Sequence, residues 1–343
     1  MKTRVIVIAV ALAVALVLPF LLDAYWLSTF VFVLIAAIGA LGLDVLTGRT
    51  GQISLGHAFF LGVGAYVGGF IGADHGFTAA LWIPAAGIIA GLLGVIVGPT
   101  ALRLRGLYLA IVTIGLIYIG QHIFVNVTAL TGGPGGRAFV DPAFGGFTFT
   151  GGLDVAGLSF DRNGLFYYLA LLLLVLAMVF VHNLARSSVG RAMTAVRDGE
   201  LAAAVLGVNV ARTKVAAFGI SAGLAGVAGA LYGSFLTFAV PTDWNLALSI
   251  EYVVMIVVGG MATLWGPVLG ALFVIGLPAL LQQVSGSQPF FGALQPADAA
   301  AIVYGVILIV FLLLEPRGVV GLVERVIHLI KRNRQMSLEP SGG

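Results

Sequence analysis

Leu27-Ser-Thr-Phe-Val-Phe-Val-Leu-Ile-Ala-Ala-Ile-Gly-Ala-Leu-Gly-Leu-Asp-Val-Leu46 carries a single charge, Asp44, close to its end. A helix of about 20 apolar residues matches the hydrocarbon thickness of a bilayer, so this stretch predicts a membrane span. Apolar runs of the same kind recur on both sides of it: Val5–Leu18, Ala58–Ala73, Ala80–Gly98, Leu107–Val125, Leu165–His182, Val215–Phe238, Leu248–Leu264, Pro267–Val284 and Ala300–Leu314. Together they make ten. The composition agrees, because 60% of the 343 residues are apolar and only 9% are charged, with a mean hydropathy of +1.11. Water-soluble domains carry about 25% charged residues, so a soluble globular protein is excluded. The expected fold is an all-α integral membrane protein, one transmembrane domain over residues 1–343.

The charges orient the spans. With Lys2 and Arg4 inside, alternation of ten spans puts Arg49, Arg103, Arg105, Arg186, Arg191, Arg197, Arg212, Lys214, Arg317, Arg325, Lys331, Arg332 and Arg334 on the same side, and only Arg137 and Arg162 outside. This is the positive-inside bias, which one missed span would invert for everything beyond it. Both termini are therefore expected in the cytoplasm. The opening, Lys2 and Arg4 before Val5–Leu18, resembles a signal peptide, but no small-x-small cleavage site follows and Pro19-Phe-Leu-Leu22 prolongs the apolar run, so it is read as a retained first helix.

Two connections exceed a turn. Residues 126–164 lie outside, are rich in Gly, Phe and Thr, and predict an ordered cap or a short hairpin. Residues 183–214 lie inside and carry five positive charges. There Ala and Leu around Glu200-Leu-Ala-Ala203 favour helix, while Gly207 and Asn209 favour its end. A basic loop that only maintains the charge bias and a docking helix for a cytosolic partner both fit this pattern. Residues 315–343 form a cytoplasmic tail, whose cationic stretch Arg325 to Arg334 suits anionic lipid. Topology accounts for the positive charge, so no nucleic-acid partner is expected.

Between the second and third spans, polar Thr47, Arg49, Thr50, Gln52, Ser54 and His57 alternate with Gly48, Gly51 and Gly56. Non-helical backbone at membrane depth is tolerated only where protein buries it or a water-filled cavity adjoins it. A re-entrant or broken segment near residues 47–60 is expected, against a plain cytosolic turn. Gln52, Ser54 and His57, with Thr113 and Tyr252, are candidates for lining a solute pathway; packing is the alternative, and His57 is assigned no proton or metal role. Intramembrane charges are functional candidates by default, yet Asp44 and Glu251 lie close enough to an interface to snorkel or pair, Asp44 with Arg49. Gly219-Ile-Ser-Ala-Gly223 spells a nucleophile elbow, but that turn needs a preceding strand, and here it falls inside an apolar helix. Glycines four apart, at 219/223, 229/233, 64/68, 68/72, 87/91 and 266/270, predict close helix packing instead. With no cysteine there is no disulfide or thiolate site, and none of Lys2, Lys214 and Lys331 belongs to a phosphate-binding loop. No catalytic, metal-ligating or cofactor-binding residue is assigned.

Gly190-Arg-Ala-Met-Thr-Ala-Val-Arg-Asp-Gly-Glu-Leu-Ala-Ala-Ala-Val-Leu-Gly207, continuing through Lys214 to Leu231, resembles the permeases of branched-chain amino acid ABC importers, and its Glu-x-Ala-Ala-x3-Gly core resembles their coupling loop. Further resemblance lies in Thr50-Gly-Gln-Ile-Ser-Leu-Gly-His57, Arg105-Gly-Leu-Tyr-Leu-Ala110, Thr131-Gly-Gly133, Gly259-Gly-Met261 with Gly266-Pro267 and Gly270, and Glu315-Pro-Arg-Gly318. The motifs follow the family's order from about Leu43 to Gly318, and the LivM-type subunit is the one most resembled. Two departures stand out: Gly199 replaces a usual second acidic residue, and Pro134-Gly-Gly-Arg137 replaces a polar or acidic continuation.

The resemblance implies a non-enzymatic subunit in a bacterial inner membrane, bringing no cofactor of its own. Its implied partners are a homologous second permease, two cytosolic ABC ATPases that bind ATP, and an extracytoplasmic solute-binding protein. Coupling to the ATPases would fall on Arg191, Arg197, Asp198, Glu200, Ala202, Ala203 and Gly207. Leucine, isoleucine and valine are the implied solutes, with urea, other amino acids or small organic acids carried by similar chains. A self-sufficient secondary transporter or channel is the alternative, and a membrane scaffold without flux is a third reading. The lack of mid-span carboxylates weakens the proton-driven version.

Overall fold

A computed structural model describes residues 12–104, 106–155, 158–285, 296–315, 318–322 and 325. Its long helices are α1 (Ala24–Leu43), α2 (His57–Gly69), α3 (Ala79–Val97), α4 (Leu107–Asn126) and α5 (Arg162–Arg186). Two short helices follow, α6 (Ser188–Asp198) and α7 (Glu200–Val205). Then come α8 (Val210–Leu236), α9 (Leu246–Gly259), α10 (Gly266–Ala271, continued through a π turn into Leu277–Ser285) and α11 (Pro296–Leu314). Side-chain caps start several of them: Asp23 accepts from Trp26 N at 2.9 Å, Asp161 from Gly164 N at 2.8 Å, Asn209 from Arg212 N at 2.9 Å and Asn245 from Leu248 N at 3.0 Å. Each cap satisfies a backbone N–H that the first helical turn leaves unbonded.

Seven helices among the described residues are long and apolar enough to cross a membrane: Ala24–Gly48, Ala79–Val97, Leu107–Asn126, Arg162–Arg186, Val210–Leu236, Pro241–Gly259 and Gly266–Gln283. Two further expected spans correspond to α2 with its π turn Phe70–Asp74, and to α11, whose apolar part is Ala301–Phe311. Half of the first expected span, residues 5–11, lies outside the described residues. Its described end is tied to α5, where Tyr167 and Tyr168 donate to the Ala15 and Leu16 carbonyls. Most of the tail 315–343 also lies outside the described residues.

Helix α8 is the hub and packs along α1, α2 and α3. Its small residues make this possible: a Cβ added at Gly87 would lie 3.2 Å from the Gly223 carbonyl, and one at Gly91 would lie 3.2 Å from that of Gly219. Gly64 abuts the Gly226 backbone, and Gly229 abuts Leu61. The glycine pairs legible in the sequence thus bring backbones together, which in lipid replaces the hydrophobic drive that water would supply. Helix α1 is almost wholly buried between α5, α8, α9 and α10.

At one end of the bundle the loop 126–164 forms a cap. Strand β1 (Arg137–Ala138) pairs antiparallel with Phe238–Ala239, while Ala143–Phe144 pairs with Phe147–Thr148 and Leu153–Val155 with Leu158–Phe160. The expected ordered cap is present, with two hairpins. Its two arginines have structural partners: Arg137 pairs with Asp74, and Arg162 lies 2.7 Å from Asp141 and donates to the carbonyls of Ser234 and Phe235. At the other end Gly48 meets α6, Asp44 meets the α9–α10 turn and Gly318 packs on Val258 and Gly260. The arginine-rich connections are therefore gathered on one face.

Candidate functional site

Helix α1 ends in a π turn, Asp44–Gly48, one of the wide turns that recur at functional sites. The backbone then leaves helical conformation over residues 51–56 before α2 begins. Gly51 has φ +69°, a left-handed value that side-chain-bearing residues seldom adopt. The segment is held by its own polar residues. Thr47 Oγ1 donates to the Gln52 carbonyl at 3.0 Å, Gln52 N to the Leu46 carbonyl at 3.2 Å and Gln52 Nε2 to Thr50 Oγ1 at 3.1 Å, while Thr50 Oγ1 donates to the Leu46 carbonyl. The helix break is thus present, with Gln52 and Ser54 buried and Gly51 and Ile53 exposed.

All five candidate pathway residues are buried: Gln52, Ser54, His57, Thr113 and Tyr252. Three of them gather around the start of α2. Thr113 Oγ1 accepts from Leu55 N at 2.9 Å, Ser54 Oγ accepts from Gly56 N at 3.3 Å, and His57 Nε2 donates to the Gly39 carbonyl at 3.0 Å. Tyr252 joins through its ring, whose centroid lies 5.0 Å from that of His57. Ser249, which sequence reasoning did not single out, belongs to the same cluster and accepts from Ala58 N at 2.9 Å. These hydroxyls serve backbone donors that the broken helix leaves unpaired, as buried N–H groups require. The Gln52 Oε1 atom is buried without a hydrogen-bond partner.

The connection 183–214 is two helices with a break at Gly199. Ser187 caps α6 by accepting from Gly190 N at 3.2 Å. After α7, Gly207 adopts φ +83°, and the bonds from Gly207 N to Ala204 and from Val208 N to Ala203 close the helix end at 3.0 and 2.9 Å. Helix α5 runs on to Arg186 and α8 begins at Val210, so Lys214 lies in the second turn of α8. There Lys214 Nζ sits 2.6 Å from Glu200 Oε1, fastening α7 to α8. Ala203 faces inward and is buried, whereas Arg191, Asp198 and Ala202 are exposed. Leu201, Val205 and Leu206 are 78%, 88% and 80% exposed. Leu201 and Val205 stand two positions either side of Ala203 and so on the opposite side of α7, with Leu206 just past the helix end; that spacing is the signal by which the sequence could have singled them out.

The two regions meet. Arg197 Nη1 donates to the Gly48 carbonyl at 2.9 Å, and a Cβ at Gly51 would lie 3.1 Å from Arg197 Cγ. Between them is an open depression of about 460 Å³ bordered by Thr50, Gly51, Val196, Arg197 and Glu200. No sequence pattern announced this contact, which joins residues about 150 positions apart. The expected pair of Asp44 with Arg49 is present at 3.6 Å. The Gly219–Gly223 stretch is helical throughout, as expected.

Comparison with known proteins gives the same direction. The family model described as "Branched-chain amino acid transport system / permease component" matches residues 25–312. The permease protein LivM of the high-affinity branched-chain amino acid transport system of Escherichia coli K12 is 35% identical over 289 residues, 80% of this chain and 67% of that protein. Its Salmonella typhimurium LT2 counterpart is 34% identical over 279 residues, 77% and 65% of the two chains. This chain thus spans about two thirds of the length of those relatives. The autoinducer 2 import system permease protein LsrC of Enterobacter sp. 638 is 33% identical over 146 residues, 39% of this chain and 42% of that protein. These relatives are transport permeases, not enzymes. No solved structure matches the chain. A match across most of the chain, in the region that holds both the broken segment and the paired short helices, places this protein in the branched-chain amino acid transport permease family.

Proposed function

We propose that this chain is a membrane-spanning permease subunit of an ATP-driven importer for branched-chain amino acids in a bacterial plasma membrane. It crosses the bilayer ten times with both termini in the cytoplasm, works beside a homologous second permease, and receives solute from an extracytoplasmic binding protein. Two cytosolic ATPases dock on α6 and α7 through the surface around Arg191, Arg197, Asp198, Glu200, Ala202 and Gly207. Leucine, isoleucine and valine are the favoured solutes because LivM is the relative matched over most of the chain, while the LsrC match covers a shorter part.

The observation that carries this reading is the α6–α7 pair: it exposes an apolar edge outside the bundle and is wedged by Arg197 against the broken segment. ATP can drive such a bundle between two states only through contacts that differ between them, and a short rigid helix pair supplies that contact. The test is ATP-driven uptake by the reconstituted importer carrying Glu200→Lys or Gly207→Val. The first change sets two like charges at the 2.6 Å Glu200–Lys214 contact; the second forces a β-branched residue to φ +83°. Both uncouple ATP hydrolysis from uptake. Unchanged ATP-driven uptake in both variants, with assembly intact, would remove the case for these helices.

A further inference from the structure

Asp44 has no exposed surface, and its carboxylate joins two turns that lie far apart in sequence. Its Oδ1 accepts from Ala262 N at 2.6 Å, and its Oδ2 lies 3.6 Å from Arg49 Nε. Ala262 sits in the α9–α10 turn at φ +61°, a conformation that alanine adopts only when its surroundings enforce it. Gly48 completes the joint: a Cβ there would overlap the Asp44 carboxylate and come within 2.7 Å of Ala262 N. The carbonyl of this same Gly48 takes the hydrogen bond from Arg197 of α6.

A continuous chain of bonds therefore runs from α6 through Arg197 to Gly48, across the π turn to Asp44, and on to Ala262. The far turn is itself tightly built. Thr263 Oγ1 donates to the Gly260 carbonyl at 2.8 Å and accepts from Gly266 N at 2.9 Å, and Gly318 packs on Val258 and Gly260. The π turn places the Gly48 carbonyl held by Arg197 and the Asp44 carboxylate held by Ala262 on one short segment, and such wide turns recur at functional sites. We infer that Asp44 is a positioning residue that passes displacement of the α6–α7 pair to the α9–α10 turn. In the setting of the importer proposed above, on which this role rests, it links the ATPase-docking helices to the helices carrying Tyr252 and Gly270. The decisive property is that a change at Arg197 is felt at residue 261 through Asp44.

The chain has no cysteine, and Met261 is 50% exposed, so Met261→Cys accepts a single nitroxide label in the purified full-length chain. The readout is the ratio of mobile to immobilised label. A relay predicts that Arg197→Ala raises this ratio by roughly fivefold or more, that Arg197→Lys restores it, that Asp44→Ala raises it equally, and that the double variant Arg197→Ala/Asp44→Ala adds nothing further. A ratio untouched by Arg197→Ala, or effects of the two substitutions that add, would overturn the relay and leave Asp44 a local staple. If Asp44→Ala does not fold, Asp44→Leu, which fills the same space without an acceptor, takes its place in the same cycle with Arg197→Ala. In the assembled importer, Asp44→Ala lowers solute moved per ATP hydrolysed by roughly fivefold or more; an unchanged ratio of solute to ATP also overturns the role. Absence of any ATP-driven uptake by the unsubstituted complex instead refutes the importer reading, while the label on the isolated chain still tests the relay.

Discussion

Truncation of the exposed edge of α7 gives the sharpest test of how this permease receives its energy. Leu201, Val205 and Leu206 are 78%, 88% and 80% exposed in the isolated chain, an arrangement that is unfavourable in water unless a partner covers it. Each buried methylene contributes about 0.8 kcal/mol. Cutting Leu201 or Leu206 to Ala removes three carbons, which, scaled by their present exposure, amounts to about 1.9 kcal/mol each; Val205→Ala, with two carbons, amounts to about 1.4 kcal/mol. These are ceilings, because association converts only part of the buried area into affinity. At about 1.4 kcal/mol for each factor of ten, Val205→Ala is thus expected to weaken ATPase binding by about five- to tenfold and either leucine substitution by about five- to twentyfold. The measurement is a titration of the purified ATPase against the chain in detergent or nanodiscs, with circular dichroism confirming equal helix content. Because these side chains face outward, the folded chain itself should be unaffected in stability. Binding within twofold of the unsubstituted chain for all three variants would refute the docking role of this edge, and a parallel loss of chain stability would refute the claim that it is free of internal packing.

Thr113→Val removes the oxygen that accepts from Leu55 N and leaves that part-buried donor without its bond, so the chain should lose about 1–3 kcal/mol of stability; a shift in solute affinity at unchanged thermal stability would instead make Thr113 a pathway residue. Gly229→Ala drives a methyl group into the Leu61 backbone and should cost roughly 1–3 kcal/mol through overpacking, read as a lowered melting temperature in detergent, whereas Gly135→Ala, with open space around it, should not.

Membrane character, the location of nearly every helix and the grouping of arginine-rich loops are legible in the sequence because both signals are local or summed. An apolar run long enough to span lipid has no other stable environment, and charge bias accumulates over the whole chain. Glycine spacing likewise announces close packing. It does not say which helix is the neighbour: that Gly87 and Gly91 meet α8, while Gly259 meets the start of α10, follows from the arrangement of the bundle. The polar pattern of residues 47–60 identifies a broken segment, since such residues have no place inside an apolar helix, yet the same letters cannot distinguish a solute pathway from hydroxyls that serve orphaned backbone groups. Thr113 and Ser54 accept from backbone donors at 2.9 and 3.3 Å, a fact about which atoms meet rather than about residue type. The Arg197–Gly48 and Asp44–Ala262 bonds span about 150 and 218 positions. Hydropathy and local propensity act over a few turns and carry no information at that separation, so composition and spacing determined what each helix is, while only the packed bundle decided which polar groups join the short helices α6 and α7 to the broken segment.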